Sequence, residues 1–216
     1  MLQKLDHETA GEALAELDTE VGGRLLSRLD KEYASDILEE MAPDSAADVL
    51  TEMPGDQAKK LHELMDAEDA EKVQELMEHE ENTAGGIMLN EFLALPPDMD
   101  AESALARVRA EAEELEYIYY VYVLDAAETL LGTVRLRDIL AAKPGQALGD
   151  IMNENLKTVA VDVSADDVLD LADKYGLLAV PVLHEDGRMA GVVTADDMLS
   201  LSLSFALRWK RIGRHA

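Results

Sequence analysis

Small and apolar residues recur with a period of twelve through the first third of the chain. Residues 6–77 divide into six units of twelve, each with an apolar residue at its eighth position and Leu or Met at its twelfth. The small residues at the fifth position are Ala10, Gly22, Ala34, Ala46, Ala58 and Ala70. Positions five, eight, nine and twelve share one helical face, and the acid at each third position suits a helix N-terminus. The pattern predicts six short helices that bury their stripes against neighbouring units, as in a solenoid.

A second repeat, with a period of 59 residues, covers most of the remaining chain. YVYVLDAAETLLGTVRLRDIL at 120–140 matches AVPVLHEDGRMAGVVTADDML at 179–199. Each copy has a β-branched run, a turn, a second strand with Gly-X-Val, and a helix. Further helices are predicted before the copies, at roughly 101–114 and 165–175. The order helix–strand–turn–strand–helix therefore occurs twice, and we expect pseudo-twofold symmetry.

The composition excludes several classes of protein. The chain of 216 residues has no cysteine and a formal net charge of −27. The lack of cysteine excludes disulfides and thiolate metal sites, and so acidic a chain repels nucleic acid. No apolar run reaches the roughly 18–20 residues of a membrane span, and the N-terminus lacks the apolar core of a signal peptide. The sequence predicts a soluble, cytoplasmic protein.

The charge is unevenly placed along the chain. Residues 199–216 contain no acid and four bases, whereas the first 198 residues hold 15 bases against 46 acids. The bases of this tail are interspersed with Phe205, Leu207, Trp209 and Ile212. Such a segment could lie on an anionic membrane surface or bind the acidic body of another subunit.

The sequence contains no recognisable catalytic constellation. The five histidines show no metal-ligand spacing, and no GxxxxGK[ST] phosphate loop is present. We therefore predict that the chain is not an enzyme.

Two features together resemble a known family. The paired Gly-X-Val units, each ending in Asp and the second preceded by a Pro-Val strand and matching Gly-X-Val-[ST]-X-X-Asp in full, are similar to a pair of cystathionine-β-synthase (CBS) domains. An acidic superhelix followed by TAGGIM at 83–88 and YIYYVYVLD at 117–125 resembles the cytosolic region of the MgtE family of magnesium transporters and channels. This resemblance implies an α+β fold, in which an N-terminal all-α superhelix of short helical repeats precedes a tandem CBS domain pair.

Four segments are expected from the patterns and the resemblance. They are an acidic helical-repeat domain at 1–81, a first CBS domain at 82–142, a second CBS domain at 143–203, and the basic amphipathic tail at 204–216.

The resemblance implies a magnesium sensor that forms a homodimer through its CBS domains. At low magnesium the acidic faces would repel and the helical domain would swing away, and at high magnesium bound ions would bridge the domains and close a pore. The implied cofactor is Mg²⁺, and the implied partner is a membrane transporter domain or subunit. Mg²⁺ suits such sites because it keeps several waters and is held by one or two carboxylates.

The resemblance also implies particular magnesium ligands. Asp197 would share an ion with Asp44, and Asp48 would act with the backbone oxygen of Gly86. The alternative is that Asp44 caps a helix and that Asp48 lies on a solvated face.

A further implied ion lies on the helix predicted at 165–175. Asp166 and Asp173 are seven residues apart on one face, but a third acid of the family's pattern falls here on Gly176. The alternative for Asp166 is helix capping.

An adenine-nucleotide site, for ATP or another adenine nucleotide, is implied as well. The matching positions are Tyr120, Arg137, Asp138, Leu177 and Pro181. A tyrosine can stack on adenine, an arginine can meet phosphate and an aspartate can accept from ribose hydroxyls. Thr194 and Asp197 fit the same pattern in the second copy, whereas the first copy has Arg135 in place of Ser or Thr. The alternative is that Tyr120 packs in the strand core and Arg137 pairs with a nearby Glu.

The chain departs from the family after the second CBS domain. The family continues into an acidic connecting helix and membrane helices, whereas here the acid-free tail follows. Magnesium sites that depend on the connecting helix should be absent. The chain is either a free-standing relative acting on a separate membrane partner, which its natural-looking ends favour, or a segment of a longer chain.

Two other functions are also compatible with the sequence. One is an adenine-nucleotide sensor whose CBS pair regulates a partner enzyme, with the superhelix as a docking scaffold. The other is a pure interaction scaffold, since helical repeats often serve that purpose.

Overall fold

The computed structural model describes residues 5–112, 115 and 117–201. The chain folds as two compact units, Met1–Glu80 and Glu81–Ala216. The basic tail predicted at 204–216 lies outside the described residues. No helix in the described part of the chain is long and apolar enough to cross a membrane.

The first unit is a stack of short helices that begin at regular intervals. Their bounds are α1 His7–Ala15, α2 Thr19–Leu26, α3 Lys31–Glu39, α4 Pro43–Thr51, α5 Gly55–His62 and α6 Ala67–Met77. The residues just before them are twelve apart, from Asp6 to Asp66. Asp6, Asp18 and Asp30 accept hydrogen bonds from backbone N–H groups of the first helical turn, so the repeat in sequence is a repeat of helix N-caps.

Helices of the first unit pack chiefly on the next helix but one. The contacts join α1 to α3, α2 to α4, α3 to α5 and α4 to α6. The small fifth residue of each repeat allows this close approach, and Ala10, Ala34 and Ala46 are fully buried. Leu17, the twelfth residue of the first repeat, is exposed. The predicted superhelix of short helical repeats is confirmed.

The second unit contains two copies of one α/β motif. The first copy runs through a 3₁₀ helix Gly85–Ile87, β1 Ala94–Leu95, α7 Ala101–Glu111, β2 Tyr120–Leu124, β3 Leu130–Arg135 and α8 Leu136–Ala141. The second runs through α9 Leu148–Ile151, β4 Val159–Ala160, α10 Ala165–Tyr175, β5 Ala179–Leu183, β6 Met189–Thr194 and a final helix over residues 195–201.

Each copy forms one three-stranded sheet. The strand orders are β1-β2-β3 and β4-β5-β6, with the short strand parallel to the middle strand and the other two forming an antiparallel hairpin. The register shifts after Val123 in one hairpin and after Val182 in the other, which are equivalent positions. The predicted order of elements and the internal symmetry are confirmed. β1 and β4 are not predicted, because two-residue strands carry no periodic signal.

The two copies exchange the segments that precede their first strands. Leu89 and Val192 of β6 donate backbone hydrogen bonds to each other, both at 2.9 Å. Asn153 and Thr133 of β3 do the same, at 2.8 and 3.2 Å. The leading segment of each copy therefore pairs with the last strand of the other, which ties the two sheets into one body.

Candidate functional site

A pocket opens where the two copies of the motif meet. The space inside it, about 410 Å³, is continuous with the solvent. The lining residues are Tyr120, Tyr122, Thr133, Asn153, Asn155, Leu156, Lys157, Leu177, Ala179 and Pro181. Both hairpins and the exchanged segment at 153–157 therefore contribute to one site.

The lining of this pocket combines an aromatic and apolar wall with uncharged polar groups. Tyr120, Leu177 and Pro181 supply flat or apolar surface, and Asn153 and Thr133 supply amide and hydroxyl groups. Among the lining residues that the structure describes, Lys157 carries a charge and no carboxylate is present. In a chain with 46 acidic residues, a pocket without a carboxylate suits a neutral or anionic ligand.

Tyr122 places a neutral hydroxyl at this pocket. Its side chain is 3% exposed, and burial raises the pKa of its phenol well above the ordinary range. The ring packs edge to face with Phe92 at a centroid distance of 5.6 Å. Within the described residues, the structure shows no hydrogen bond to this hydroxyl, so a ligand or a water could supply its partner.

The residues predicted for a nucleotide site fall into two groups. Those that line the pocket are Tyr120, Leu177 and Pro181. Arg137 and Asp138 lie outside the lining, in the first turn of α8. Arg135 Nε donates to Asp138 Oδ2 at 2.6 Å, and Arg137 Nε lies 3.9 Å from Asp138 Oδ1. Arg137 therefore approaches an aspartate rather than the expected Glu.

In the second copy, the sequence TADD at 194–197 starts the final helix. The backbone N–H of Thr194 donates to Asp197 Oδ2 at 3.3 Å, as in a capping box. The Thr194 hydroxyl oxygen lies 2.6 Å from both Asp197 Oδ2 and Asp196 Oδ1. One hydroxyl proton can serve only one of these carboxylates at a time. Helix capping and two neighbouring carboxylates therefore coincide at this point.

The acids predicted on α10 lie on its exposed surface. Asp166 does not cap the helix, because Ser164 accepts the Asp167 backbone N–H at 3.2 Å and donates to Asp167 Oδ2 at 2.6 Å. Asp173 lies two turns later and is also exposed. The helix ends at Gly176 with φ of 62°, where an acidic residue would be strained. The third acid of the family's pattern is therefore incompatible with this helix end.

The remaining predicted magnesium ligands lie in different units. Asp44 and Asp48 are one turn apart on α4, half-buried and exposed respectively. Asp44 follows Pro43 in the first turn, where the helix dipole favours a carboxylate, and Ala42 occupies the capping position. Gly86 is in the 3₁₀ helix of the second unit, where its N–H donates to the Thr83 carbonyl at 3.1 Å.

No ready-made metal cage is visible in either unit. Within the described residues, no group of three or more His, Asp or Glu side chains could hold one ion.

Comparison with known proteins identifies the architecture. Residues 1–82 match the MgtE intracellular N domain, and residues 84–145 and 148–204 match the CBS domain. The crystal structure of the cytosolic domain of the Mg²⁺ channel MgtE in complex with ATP has a TM-score of 0.87 and 33% identity. That match covers 93% of this chain and 82% of the other. The chain belongs to the MgtE family. The predicted resemblance is confirmed.

Two further relatives agree with this assignment. The soluble part of a magnesium transporter has a TM-score of 0.80 and 31% identity, over 95% of this chain and 86% of that structure. The magnesium transporter MgtE of Thermus thermophilus is 37% identical over 123 residues, which is 57% of this chain. The matched region spans 27% of that curated relative's length.

The sequence predicts three of the ten residues that line the pocket, and seven were missed. Tyr122 could have been found, because it lies two residues after Tyr120 and therefore on the same face of the strand. Lys157 and Asn153 carry no such signal. They reach the pocket because the segment around Asn153 pairs with Thr133 of the first copy, and this pairing leaves no periodic pattern in the sequence.

Proposed function

We propose that this chain is the Mg²⁺-responsive regulatory part of a magnesium transport system, acting in the cytoplasm at the inner face of the membrane. Likeness to the cytosolic domain of a Mg²⁺ channel over 93% of the chain carries the proposal. The acidic charge supports it, since closely placed carboxylates repel unless cations neutralise them. The chain would act by changing conformation and not by catalysis.

Specific acids would bind the ion. In this proposal Asp44 of the superhelix and Asp197 of the second CBS copy share Mg²⁺, and Asp48 acts with the carbonyl of Gly86. The crowding of Asp196 and Asp197 around one hydroxyl supports a cation at that point. Mg²⁺ would favour a compact arrangement of the two units, and its loss would let their acidic surfaces repel each other.

A second ion would lie on α10. Asp166 and Asp173 would contribute to it, and the finding that Ser164 caps the helix leaves the Asp166 carboxylate exposed. With Gly176 in place of a third acid, we expect this site to be the weaker of the two.

The partner of this chain would be a second copy and a membrane transporter domain or subunit. Leu140 and Leu199 are 63% and 60% exposed, and they occupy equivalent positions 59 residues apart in the two copies. Exposed leucines on both copies support a homodimer through the CBS pair, since a symmetric face is what a twofold interface uses. The tail at 204–216 would contact an anionic membrane surface.

Calorimetric titration with MgCl₂ at constant ionic strength tests the magnesium proposal. We expect saturable heat for the wild type and a clear loss of affinity for Asp44→Ala/Asp197→Ala, because Mg²⁺ loses two carboxylates. Asp56→Ala/Asp150→Ala removes the same charge at exposed positions and should behave like the wild type. Equal weakening by both double variants would show that Mg²⁺ responds only to overall charge and would overturn the assigned ligands.

A second candidate function is an adenine-nucleotide sensor that regulates a partner enzyme. The pocket lined by Tyr120, Leu177 and Pro181 favours it, because it offers an aromatic surface without carboxylates. A rise in thermal midpoint with ATP or AMP, but not with Mg²⁺, would favour this function over the first.

A further inference from the structure

Two lysines meet at one tyrosine beside the pocket. Lys157 Nζ lies 5.1 Å and Lys174 Nζ 5.2 Å from the centroid of the Tyr175 ring. Both distances are within the range of cation–π contacts. Tyr175 ends α10, two residues before Leu177 of the pocket lining. Of the two lysines, Lys157 lines the pocket, and Lys174 lies on the exposed surface at the same ring.

Neither lysine is neutralised by a carboxylate in the described part of the chain. Lys157 donates to Asn155 Oδ1 at 3.1 Å, and no ion pair with Lys157 or Lys174 is found among the described residues. A cation without a carboxylate partner favours the binding of an anion. Lys157 is half-buried and lines the pocket, so an anion that met it would be part of a ligand in the pocket.

The rest of the lining suits an uncharged ring system. Tyr120, Leu177 and Pro181 offer surfaces for stacking, and the buried Tyr122 hydroxyl offers a hydrogen bond. Arg137 does not line the pocket, and 72% of its side chain is exposed. The cation available inside the lining is therefore Lys157.

We propose that Lys157 is a specificity-determining residue that binds a phosphate group, so that the pocket takes a phosphorylated nucleotide in preference to the nucleoside. This inference rests on the nucleotide-sensing candidate, since it assigns the class of ligand to that pocket. The phosphate would receive a charge-assisted hydrogen bond from Nζ, and the base would lie against Tyr120.

The test compares ATP, AMP and adenosine as ligands, by calorimetry in the absence of Mg²⁺. We expect the wild type to bind ATP more tightly than adenosine. Lys157→Gln should lower the ATP affinity about tenfold and leave the adenosine affinity unchanged, because only the phosphate contact is lost. Lys157→Arg should keep the preference for ATP. Lys143→Gln, which removes an exposed positive charge elsewhere in the second unit, should match the wild type.

Three outcomes would overturn the inference in different ways. Unchanged affinities for both ATP and adenosine in Lys157→Gln would remove Lys157 from ligand recognition and leave the nucleotide pocket standing. Failure of the wild type to bind any of the three ligands would overturn the nucleotide-sensing candidate itself. An equal loss of ATP and adenosine affinity in Lys157→Gln would assign the residue a role in pocket shape and not in phosphate binding.

Discussion

Gly191, in the second Gly-X-Val motif, lies where two backbones approach each other too closely for a side chain. A Cβ atom at this position would lie 2.5 Å from the carbonyl oxygen of Leu89 and 2.7 Å from Met88 Sδ. The equivalent Gly132 lies under Met152, whose Sδ would be 2.6 Å from a Cβ. Each glycine therefore makes room for the leading segment of the other copy.

Replacing Gly191 by alanine should destabilise the protein. We expect the free energy of unfolding to fall by about 1–3 kcal/mol, because the added methyl group overpacks a site where Leu89 is held by two backbone hydrogen bonds. Urea unfolding followed by circular dichroism measures the change. Gly55→Ala is the control, since no atom lies within 4 Å of a Cβ there. Equal stability of the two variants would contradict the close approach.

Some roles of single residues can be predicted from the sequence, and others cannot. The motif around Gly191 is visible as a pattern, but its contact with Met88 joins positions about 100 residues apart and leaves no local signal. For Asp197, capping, ribose binding and cation binding are all compatible with TADD. The hydrogen bond from the Thr194 backbone shows that capping is one of its roles.

At the scale of secondary-structure elements, the two hairpin turns contact each other. Arg188 Nη1 lies 3.4 Å from Glu128 Oε2, and the Met189 N–H donates to the Glu128 carbonyl at 3.2 Å. Glu128 has φ of 62°, in the left-handed region, where the second copy has Gly187 with φ of 85°. The first hairpin therefore combines an unfavourable backbone conformation with an ion pair to the second hairpin.

Two substitutions at Glu128 separate these effects. Both Glu128→Gly and Glu128→Ala remove the contact with Arg188, so their difference reports the backbone alone. We expect the glycine variant to be more stable by about 1 kcal/mol, because glycine adopts a positive φ without strain. Thermal unfolding of the two variants measures this. Equal midpoints would mean that the turn relaxes when the glutamate is removed.

Long periodic elements could be predicted, and short or non-local ones could not. The helix predicted at 165–175 is α10, whereas the helix predicted at 101–114 ends at Glu111. The exchanged segments around Leu89 and Asn153 are not predicted, because their pairing depends on how the two copies meet. Some of the pocket residues on the hairpins could therefore be predicted from the sequence, whereas those on the exchanged segment could not.

At the scale of the whole molecule, the proposed function rests on the net charge and on the order of the domains. The succession of twelve-residue repeats and a 59-residue repeat is specific enough to indicate the family, which the comparisons show. Ion sites built from exposed acids have no equivalent pattern in the sequence, because a single Asp can equally well be a helix cap, part of a solvated surface or a metal ligand. Only the response to Mg²⁺ distinguishes these roles.

The most direct test of the magnesium-sensing account is small-angle scattering across a Mg²⁺ titration. The titration would run to about 20 mM, with KCl balancing the ionic strength, because screening alone relaxes repulsion between charges. Asp44→Ala/Asp197→Ala and the control Asp56→Ala/Asp150→Ala would be measured alongside the wild type. We predict that Mg²⁺ lowers the radius of gyration of the wild type and the control, that KCl does not, and that Asp44→Ala/Asp197→Ala stays extended. Equal compaction by Mg²⁺ and KCl, or compaction of all three proteins alike, would contradict the account.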